Sequence, residues 1–441
     1  MQVTLRQMVL TLSRAVDLVG VTDVFHGRRV GMMAVECAKS LGWHTATRHL
    51  LFDAGLLHDC GVSSTREHRV IINELDWEGA NLHCEIGYEL LRNFAPLAHL
   101  APLVRYHHTH WEAMPGLPID PLVASHANLI HLTDRVDALA TQYYRDESLL
   151  LHVGEIRDLI HRHRGQFFSP ALVDAFLDAS APEAFWLLLD AAYIPQYIED
   201  MGRFSETRTS TLAELKQFAF LIAHIVDAKS HFTAEHSLGV ARLSRFLGQL
   251  AGFSGEHLEK LEIAALLHDI GKLQVPDELL ESPAALSAAE FAVMKKHSFA
   301  TYQILRQVGG FAELALWAAE HHESLNGDGY PFRLKSDAIS TEARIIKIAD
   351  IYQALAQRRP YRKPMPASEI LELLRKMQAE NEVDGTLVDR VALHLEECHS
   401  VATVAGRVSR DCVDRCITSG GVPQRGKGRS RRFGSVTCSA A

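Results

Sequence analysis

The sequence predicts an almost entirely α-helical protein in which one helical bundle occurs twice in tandem. Three observations support this prediction. Apolar residues recur at helical spacing, alternating β-branched runs are scarce, and one set of histidine and aspartate landmarks occurs twice within the 441 residues. A hydrophobic content of 47% with 22% charged residues is typical of globular domains with substantial cores. We therefore expect an all-α fold related by internal duplication.

The duplication is defined by the order and spacing of its landmarks. The first two histidines lie 32 residues apart in both copies, and the third and fourth lie 24 residues apart in both. Each copy closes with an aspartate that follows an apolar run. The same order at matched spacing indicates a tandem repeat. The landmarks are His26, His58, Asp59, His83, His107, His108 and Asp134 in the first copy, and His236, His268, Asp269, His297, His321, His322 and Asp350 in the second.

Composition shifts place the domain boundaries. Residues 1–200 form the predicted first domain, and the polar run from Glu199 to Thr211 contains the predicted join. Residues 212–405 form the second domain. Residues 406–441 are rich in Arg, Gly and Ser without periodicity, and this composition is typical of a disordered basic tail.

Helices of the second copy are predicted from local patterns. Ser340 or Thr341 is the predicted N-cap of the helix that carries Asp350. The segment from Phe311 to His322 is predicted to be a further helix. Two apolar faces are expected at helical spacing, formed by Leu258, Leu261, Ala265 and Leu266, and more loosely by Phe291, Met294, Phe299 and Tyr302.

Charge and cysteine usage restrict the classes of partner. A net charge of −9 argues against nonspecific binding to duplex nucleic acid but not against a small anion held by local charge. The apolar run from Phe218 to Val226 is too short to span a membrane. Scattered cysteines and the absence of a signal-peptide pattern predict a cytoplasmic protein. Cys60 and Cys84 are interpreted as buried hydrophobic residues rather than ligands.

The stretch from Ala265 to Lys272 points to metal chemistry. His268 and Asp269 close an apolar run, and a buried His–Asp pair is costly unless it has a partner, for which a metal ion is the usual choice. Imidazole and carboxylate donors suit Fe, Mn, Co, Ni or Zn. The donor set is too large for one tetrahedral ion but suffices for two ions with a bridging carboxylate, an arrangement that favours phosphate-ester hydrolysis. Lys272 is predicted to neutralise charge on the phosphate.

These motifs resemble the HD phosphohydrolase superfamily. The run His321-His322-Glu323, followed by Gly327 and by Gly329-Tyr330-Pro331, is similar to the HD-GYP subgroup in particular. The resemblance covers about residues 215–400 and includes Val275-Pro276-Asp277 and Ala349-Asp350. It implies a bacterial all-α enzyme of second-messenger signalling that hydrolyses a cyclic dinucleotide, chiefly cyclic-di-GMP, to pGpG and often on to GMP.

The resemblance also implies roles for individual residues. Asp269 would bridge two divalent ions, with Fe or Mn preferred and Zn, Ni or Co left open, and Lys272 would act in catalysis and bind substrate. Some members bind a third ion through a Glu four residues before the first histidine, where this chain has Phe232, so two ions are expected. The substrate would contact Lys272, Gly329, Tyr330, Pro331, Arg359 and Arg362.

The first copy departs from the pattern at the positions of its substrate groups. Val62 replaces Lys272, and Trp111 to Gly116 replaces the GYP loop. We therefore expect a candidate second metal site without evident groups for cyclic dinucleotides. Alternatives left open are hydrolysis of mixed cyclic GMP-AMP or another nucleotide phosphate, and a non-catalytic scaffold that senses a nucleotide or metal. A homodimer or a signalling-protein partner is also considered.

Overall fold

The computed structural model describes residues 3–20, 25–62, 64–65, 80–202, 208–229, 236–282, 284–357 and 363–404. Within these ranges every regular element is an α-helix or a 3-10 helix, and the β contacts are isolated bridges. The predicted all-α fold is therefore confirmed. No described helix has both the length and the apolar character that crossing a membrane would require.

The first domain is a bundle of α-helices with short 3-10 turns between some of them. Its described helices are α1 (Leu5–Asp17), α2 (His26–Ser40), α3 (Thr45–Leu57), α4 (Ala80–Arg92), α5 (Ala101–Tyr106), α6 (Pro121–Ala140), α7 (Leu149–Arg162), α8 (Pro170–Ala179), α9 (Glu183–Leu187) and α10 (Ile194–Gly202).

The second domain repeats this arrangement. Its described helices are α11 (Leu212–Ala228), α12 (His236–Leu250), α13 (Gly255–Leu267), α14 (Asp277–Leu280), α15 (Ala288–Leu305), α16 (Ala312–Ala319), α17 (Thr341–Ala356), α18 (Ala367–Ala379), α19 (Gly385–Leu393) and α20 (Leu395–Thr403).

The same helix pairs pack together in both domains. Helix α2 contacts α3 and α6, just as α12 contacts α13 and α17. Helix α4 contacts α5, as α15 contacts α16. Each landmark histidine and aspartate lies on, or directly after, one of these paired helices. Because the helices converge, residues that are far apart in sequence meet inside each bundle.

Each His–Asp pair lies at the end of a helix rather than within one. His268 is the C-cap of α13, and a 3-10 helix, Ile270–Gln274, comes next. Gly271 explains the change of direction, since a Cβ atom there would lie 2.0 Å from the carbonyl oxygen of His297. Gly61 makes the same close approach to the carbonyl of His83, also 2.0 Å for a Cβ atom. Glycine is required at both positions so that this turn can pack against the next helix.

The ends of the predicted helices agree with the sequence patterns. Ser340 is the N-cap of α17, and its hydroxyl accepts a hydrogen bond from the amide of Ala343 at 3.2 Å. Thr211 begins α11 with a capping box completed by Glu214. The predicted helix from Phe311 to His322 is divided into α16 and the 3-10 helix Glu320–His322, which carries the paired histidines.

Polar contacts join the two domains. The amide of Ser210 donates to the carbonyl of Val3 at 2.7 Å, beside an isolated antiparallel bridge between Thr4 and Thr209. Lys229, at the end of α11, lies 3.0 Å from the Oδ1 atom of Asp277 and donates to the Thr65 hydroxyl at 3.0 Å. The first domain thus touches the loop after the second His–Asp pair.

One predicted apolar face is wrong in part. Phe291 and Phe299 on α15 are 42% and 47% exposed, so they do not belong to the core. Their rings instead lie near the aromatic residues of the loop after His322, with ring centroids 5.9 Å apart for Phe291 and Tyr330. The predicted tail, residues 406–441, lies outside the described residues. The boundaries 1–200 and 212–405 remain predictions.

Candidate active site

The second domain gathers its predicted ligands around the carboxylate of Asp269. The Oδ2 atom lies 3.2 Å from His268 Nε2 and 4.0 Å from His236 Nε2. The Oδ1 atom faces the other way, 3.6 Å from His297 Nε2 and 3.9 Å from His321 Nε2. The two oxygens of one carboxylate therefore face two groups of donors, as a bridging ligand requires.

The remaining ligands complete the two groups. Asp350 Oδ1 lies 3.0 Å from His236 Nε2. Ligand atoms of His236, His268 and Asp350 lie within 4.8 Å of one another, and those of His297, His321 and His322 do the same. The structure thus brings together all seven predicted ligands of the second copy.

Backbone carbonyls orient three of these imidazoles. The Nδ1 atoms of His268, His297 and His321 donate to the carbonyls three residues earlier, at 2.7, 2.6 and 2.6 Å respectively. A carbonyl only accepts, so the proton is on Nδ1 and the Nε2 lone pair points into the site. This tautomer is the one that binds a metal through Nε2.

The electrostatics of the site favour the deprotonated state of His321, His297 and Asp269. Burial lowers the pKa of His321 to about 3 and that of His297 to about 4, so both imidazoles are neutral near pH 7. Burial alone would raise the pKa of Asp269, but His268 and Lys272 hold it well below its ordinary range. Neutral imidazole and ionised carboxylate are the states in which these groups bind divalent ions.

The buried donor atoms also fit metal ions as their missing partners. His268 Nε2, Asp269 Oδ1 and His321 Nε2 are buried and make no hydrogen bond within the described part of the chain. Leaving such atoms unsatisfied costs about 1–3 kcal/mol each, and more when the group is charged. Coordination of divalent ions would satisfy all three, so the donor set fits the metal that the sequence predicts.

The predicted substrate groups surround this centre. The ammonium of Lys272 pairs with the Oδ2 atom of Asp269, and its side chain remains 25% exposed. The ring of Tyr330 lies over His322 with centroids 4.8 Å apart. A Cβ atom at Gly329 would lie 2.4 Å from the amide nitrogen of Ser324, so the close turn that presents Tyr330 requires glycine. Pro331 comes after Tyr330 in the same loop, next to the metal ligands.

Glu323 is a residue whose role the sequence analysis missed. Its carboxylate accepts hydrogen bonds from the amides of Phe332 at 2.6 Å and Leu334 at 2.9 Å. Its own carbonyl accepts a bond from Lys347 at 2.6 Å. Glu323 therefore clamps the loop that carries Tyr330 directly after the paired histidines, and only its adjacency to His322 in the motif hinted at this.

The first domain repeats the centre around Asp59. Asp59 Oδ2 lies 3.4 Å from His58 Nε2 and 3.7 Å from His26 Nε2, and Oδ1 lies 3.3 Å from His83 Nε2 and 3.7 Å from His107 Nε2. Two further predicted ligands complete the set. Asp134 Oδ1 lies 3.3 Å from His26 Nε2, and Asp134 Oδ2 lies 3.8 Å from His108 Nε2.

The surroundings of this first centre differ from those of the second. Val62 is fully buried in the core where the second domain has a partly exposed lysine. The guanidinium of Arg135 lies 2.8 Å from Asp134 Oδ2 and neutralises a carboxylate of the set. Trp111–Gly116 is a 3-10 helix, not an exposed glycine loop. The first centre therefore has different neighbours from the second at the positions of Lys272 and of the GYP loop.

The two domains also differ in the side chains that pack next to the first histidine of each ligand set. Asp137 accepts from Arg29 at 2.6 Å, and one of its oxygens lies 2.7 Å from His26 Nδ1. Helix α12 has Gly239 where α2 has Arg29, and a Cβ atom at Gly239 would lie 2.2 Å from Gln353. Gln353 thus fills the space that arginine fills in the first copy. A carboxylate behind a ligating histidine increases its basicity.

The cysteines beside the first centre are not alike. Cys60 packs against Gly87, and burial raises the pKa of its thiol. Burial would also raise the pKa of Cys84, but His107 and His83 lower it to about 6. Cys84 is buried, as the sequence predicts, but its sulfur also lies 3.7 Å from His83 Nε2.

Three predicted positions cannot be placed. Arg359 and Arg362, the predicted phosphate-binding arginines, lie outside the described residues, as does Phe232.

Comparison with known proteins agrees with this geometry. Models of the HD domain match residues 24–166 and residues 220–387. The 3′3′-cGAMP-specific phosphodiesterase 1 of Vibrio cholerae is 35% identical over 416 residues, which cover 91% of this chain and 94% of that protein. The chain belongs to the HD-domain phosphodiesterases. The tandem duplication predicted from histidine spacing is thereby confirmed as two HD domains.

Two further proteins match over different shares of the chain. A cyclic di-GMP phosphodiesterase of Thermotoga maritima is 32% identical over 189 residues, which cover 40% of this chain and 50% of that protein. A crystal structure of a cyclic GMP-AMP-specific phosphodiesterase of V. cholerae aligns with a TM-score of 0.63 at 24% identity. It covers 90% of this chain and 98% of that one, and it supports the two-domain fold.

Proposed function

We propose that the second domain hydrolyses a mixed cyclic dinucleotide, 3′3′-cyclic GMP-AMP, in bacterial signalling. The observation that carries the substrate choice is the relative named for this compound, which aligns across both domains and 94% of its own length. The cyclic di-GMP phosphodiesterase of T. maritima aligns over 40% of the chain only. The sequence motifs favour cyclic-di-GMP, whereas the extent of these matches supports 3′3′-cyclic GMP-AMP.

The catalytic proposal rests on the two faces of Asp269. We assign one ion to His236, His268 and Asp350 and a second to His297, His321 and His322, with Asp269 shared between them. Divalent ions held there would supply Lewis-acid activation of water and of the phosphoryl group. The nitrogen and oxygen donors suit Fe or Mn, and the absence of sulfur from these groups supports that preference.

The chain's own cations and aromatic rings would hold the substrate. Lys272 places a positive charge at the edge of the centre, where charge develops on the phosphoryl oxygens. Tyr330 and the exposed ring of Phe291 offer faces for the bases, and the ammonium of Lys295 lies 5.4 Å from the Tyr330 ring centroid. Base stacking on an aromatic side chain contributes about 1–3 kcal/mol per base.

The reaction is a single hydrolytic displacement. Water adds through its oxygen to one phosphorus, and the bond from that phosphorus to the 3′ oxygen breaks. The departing 3′ oxygen gains a proton, and the product is a linear dinucleotide with a 5′-phosphate. Lys272 remains charged throughout and stabilises the developing negative charge.

Cyclic-di-GMP is the second candidate substrate. The observation that favours it is that relatives with that name align over 38–40% of this chain at 32–33% identity. The two compounds differ in one purine base, so discrimination depends on contacts to base edges rather than on the metal centre. A cytoplasmic location is consistent with either substrate and with the scattered cysteines.

Product analysis on the full chain tests this proposal. The protein is loaded with Mn²⁺ or Fe²⁺ and incubated with 3′3′-cyclic GMP-AMP, cyclic-di-GMP and cyclic-di-AMP in separate reactions. We expect a linear product from 3′3′-cyclic GMP-AMP with a kcat/KM at least about tenfold above the others, equivalent to about 1.4 kcal/mol of discrimination. Equal or greater turnover of cyclic-di-GMP would reverse the substrate assignment, and no turnover of any compound would overturn the enzymatic proposal.

Matched substitutions locate the reaction in one domain. Asp269→Asn should reduce hydrolysis to background, whereas Asp59→Asn should retain it, because the two aspartates occupy equivalent places in different domains. Lys272→Gln should lower kcat by about 10²-fold, as expected for one charge-stabilising group. Lys260→Gln, on the surface of α13, serves as its control. Loss of turnover in Asp59→Asn with unchanged circular dichroism would contradict the assignment.

A further inference from the structure

A thiol distinguishes the metal-binding cluster of the first domain from that of the second. Cys84 directly follows the ligand His83, whereas Ser298 follows the equivalent His297. Ligand atoms of His83, Cys84, His107 and His108 all lie within 4.8 Å of one another. Cys84 is 1% exposed, and its sulfur lies 3.7 Å from His83 Nε2 and 3.5 Å from His107 Nδ1.

The spacing of these atoms fits a single tetrahedral ion. Bonds of about 2.0–2.3 Å at tetrahedral angles place ligand atoms roughly 3.3–3.7 Å apart. His83 Nε2 lies 3.3 Å from His107 Nε2, 3.3 Å from Asp59 Oδ1 and 3.7 Å from the sulfur of Cys84. The Nε2 atom of His83 thus has a nitrogen, an oxygen and a sulfur atom near it, at the distances expected between ligands of one ion.

The orientation of His107 and Asp59 supports the same interpretation. The Nδ1 atom of His107 donates to the carbonyl of Val104 at 2.6 Å, so its Nε2 lone pair faces the cluster. Both carboxylate oxygens of Asp59 are buried without a hydrogen bond among the described residues. These donors are therefore directed at a position that a cation would fill.

We propose that Cys84 is a thiolate ligand in the first domain, and that with His83, His107 and His108 it binds a zinc ion in a closed site. Thiolate selects softer ions, and four protein donors leave no position open for water or substrate. Binding displaces the thiol proton to solvent, as metal coordination by cysteine requires. The second domain has a serine hydroxyl at this place, 3.2 Å from His297 Nε2, and retains its nitrogen and oxygen donors.

This assignment separates the roles of the two duplicated centres. The first domain would carry zinc as a structural ion, next to the buried Val62 and without a cation equivalent to Lys272. The second would carry the ions that act in hydrolysis. The inference concerns residues of the first domain and does not depend on which cyclic dinucleotide the second domain hydrolyses.

Cobalt substitution tests the thiolate directly. The full chain, with Cys412, Cys416 and Cys438 changed to Ser so that they cannot contribute, is stripped with a chelator and reloaded with Co²⁺. We expect near-ultraviolet absorption from thiolate-to-cobalt charge transfer. Cys84→Ser, which introduces the residue found at this place in the second domain, should abolish that absorption. The control is Cys37→Ser, which removes a buried thiol near the C-terminal end of α2 and should leave the absorption in place. The proposal would be overturned if the cobalt-loaded protein with Cys84 intact lacked this absorption, or if Cys84→Ser left the absorption unchanged.

A second measurement needs no Cys84 variant. X-ray absorption of the zinc-loaded protein, in the same background, should show a sulfur scatterer at about 2.3 Å together with nitrogen or oxygen at about 2.0–2.1 Å. A spectrum of nitrogen and oxygen neighbours alone would refute a thiolate ligand. This result is independent of phosphodiesterase activity, so it distinguishes failure of the zinc assignment from failure of the proposed reaction.

Discussion

Asp269 and Asp59 occupy equivalent places, and in each the two carboxylate oxygens face different sets of histidines. The residue three positions later differs in kind, since Lys272 is partly exposed beside the centre and Val62 is buried in the core. A charge can stabilise a phosphoryl group only if it reaches the site, so this difference is one reason for proposing that hydrolysis occurs in the second domain.

A pH dependence is expected from the burial of His321. Its pKa is about 3 in the folded protein, against about 6.5 in an unfolded chain, so the unfolded state binds the proton first as the pH falls. The free energy of unfolding of the metal-free protein should therefore decrease below about pH 6.5. Between pH 8 and pH 5.5 this one group should contribute a loss of about 1.4 kcal/mol.

Urea titrations of chelator-treated protein at both pH values measure this loss. His321→Gln removes the titrating group and should show a decrease smaller by about 1.4 kcal/mol than the wild-type protein. His152→Gln, which changes a histidine at the surface of the first domain, should leave the wild-type decrease in place. Equal decreases in the wild-type and His321→Gln proteins would show that His321 does not stay neutral in the fold.

At the scale of elements, the two copies differ most in the segment after the paired histidines. In the second domain a largely irregular loop runs from Glu323 to the start of α17, and the carboxylate of Glu323 holds two amides of that loop. In the first domain the corresponding segment includes a 3-10 helix, Trp111–Gly116. Tyr330 thus depends for its position on a clamp that the first domain does not share at this place.

Removing the clamp should affect substrate binding more than the metal centre. Glu323→Ala deletes both acceptors, each a charge-assisted bond that contributes about 1.5–3 kcal/mol, and should raise KM about tenfold with a smaller change in kcat. Glu323→Gln, which keeps one oxygen, should have a KM between those of the wild-type protein and Glu323→Ala. Steady-state kinetics on the proposed substrate check this, with the exposed Glu372→Ala as control. A fall in kcat alone would indicate that Glu323 acts on the ions instead.

At the scale of the whole molecule, the second domain is joined to the first through the loop after its His–Asp pair. The Oδ2 atom of Asp277 accepts a hydrogen bond from Ser64 at 3.0 Å, while Lys229 bridges Asp277 and Thr65. Lys229 is 1% exposed at its side chain, so the pair is largely desolvated. Removing one partner of a buried pair leaves the other charge uncompensated.

Lys229→Met should therefore destabilise the protein by about 3 kcal/mol, since it removes one charge of a largely buried ion pair. Chemical denaturation measures the change. The control is Arg375→Gln, which breaks an exposed pair with Asp389 on the surface of the second domain and should cost less than about 1 kcal/mol. Lys229→Met combined with Asp277→Asn should cost less than the sum of the single changes. Strict additivity would show that the two side chains are not coupled.

Much of this architecture was predictable because the relevant signals are local or periodic. Helical spacing predicted the all-α fold, and matched intervals between histidines predicted a tandem duplication. The Ser340 cap required only a residue type next to an apolar pattern. The partial exposure of Phe291 and Phe299 was not predictable, because a helical face does not reveal whether a polar or aromatic loop covers it.

The sequence by itself determined the fold class, the duplication and the candidate donor residues, since each depends on residue type and spacing along the chain. Only the tertiary structure decided how the donors divide between the two oxygens of Asp269, that Cys84 joins the imidazoles of the first domain, and that Glu323 clamps the substrate loop. It also decided that Lys229 links the domains. The physical reason is that each of these depends on distances between atoms carried by different helices, which are set by packing and not by separation in sequence.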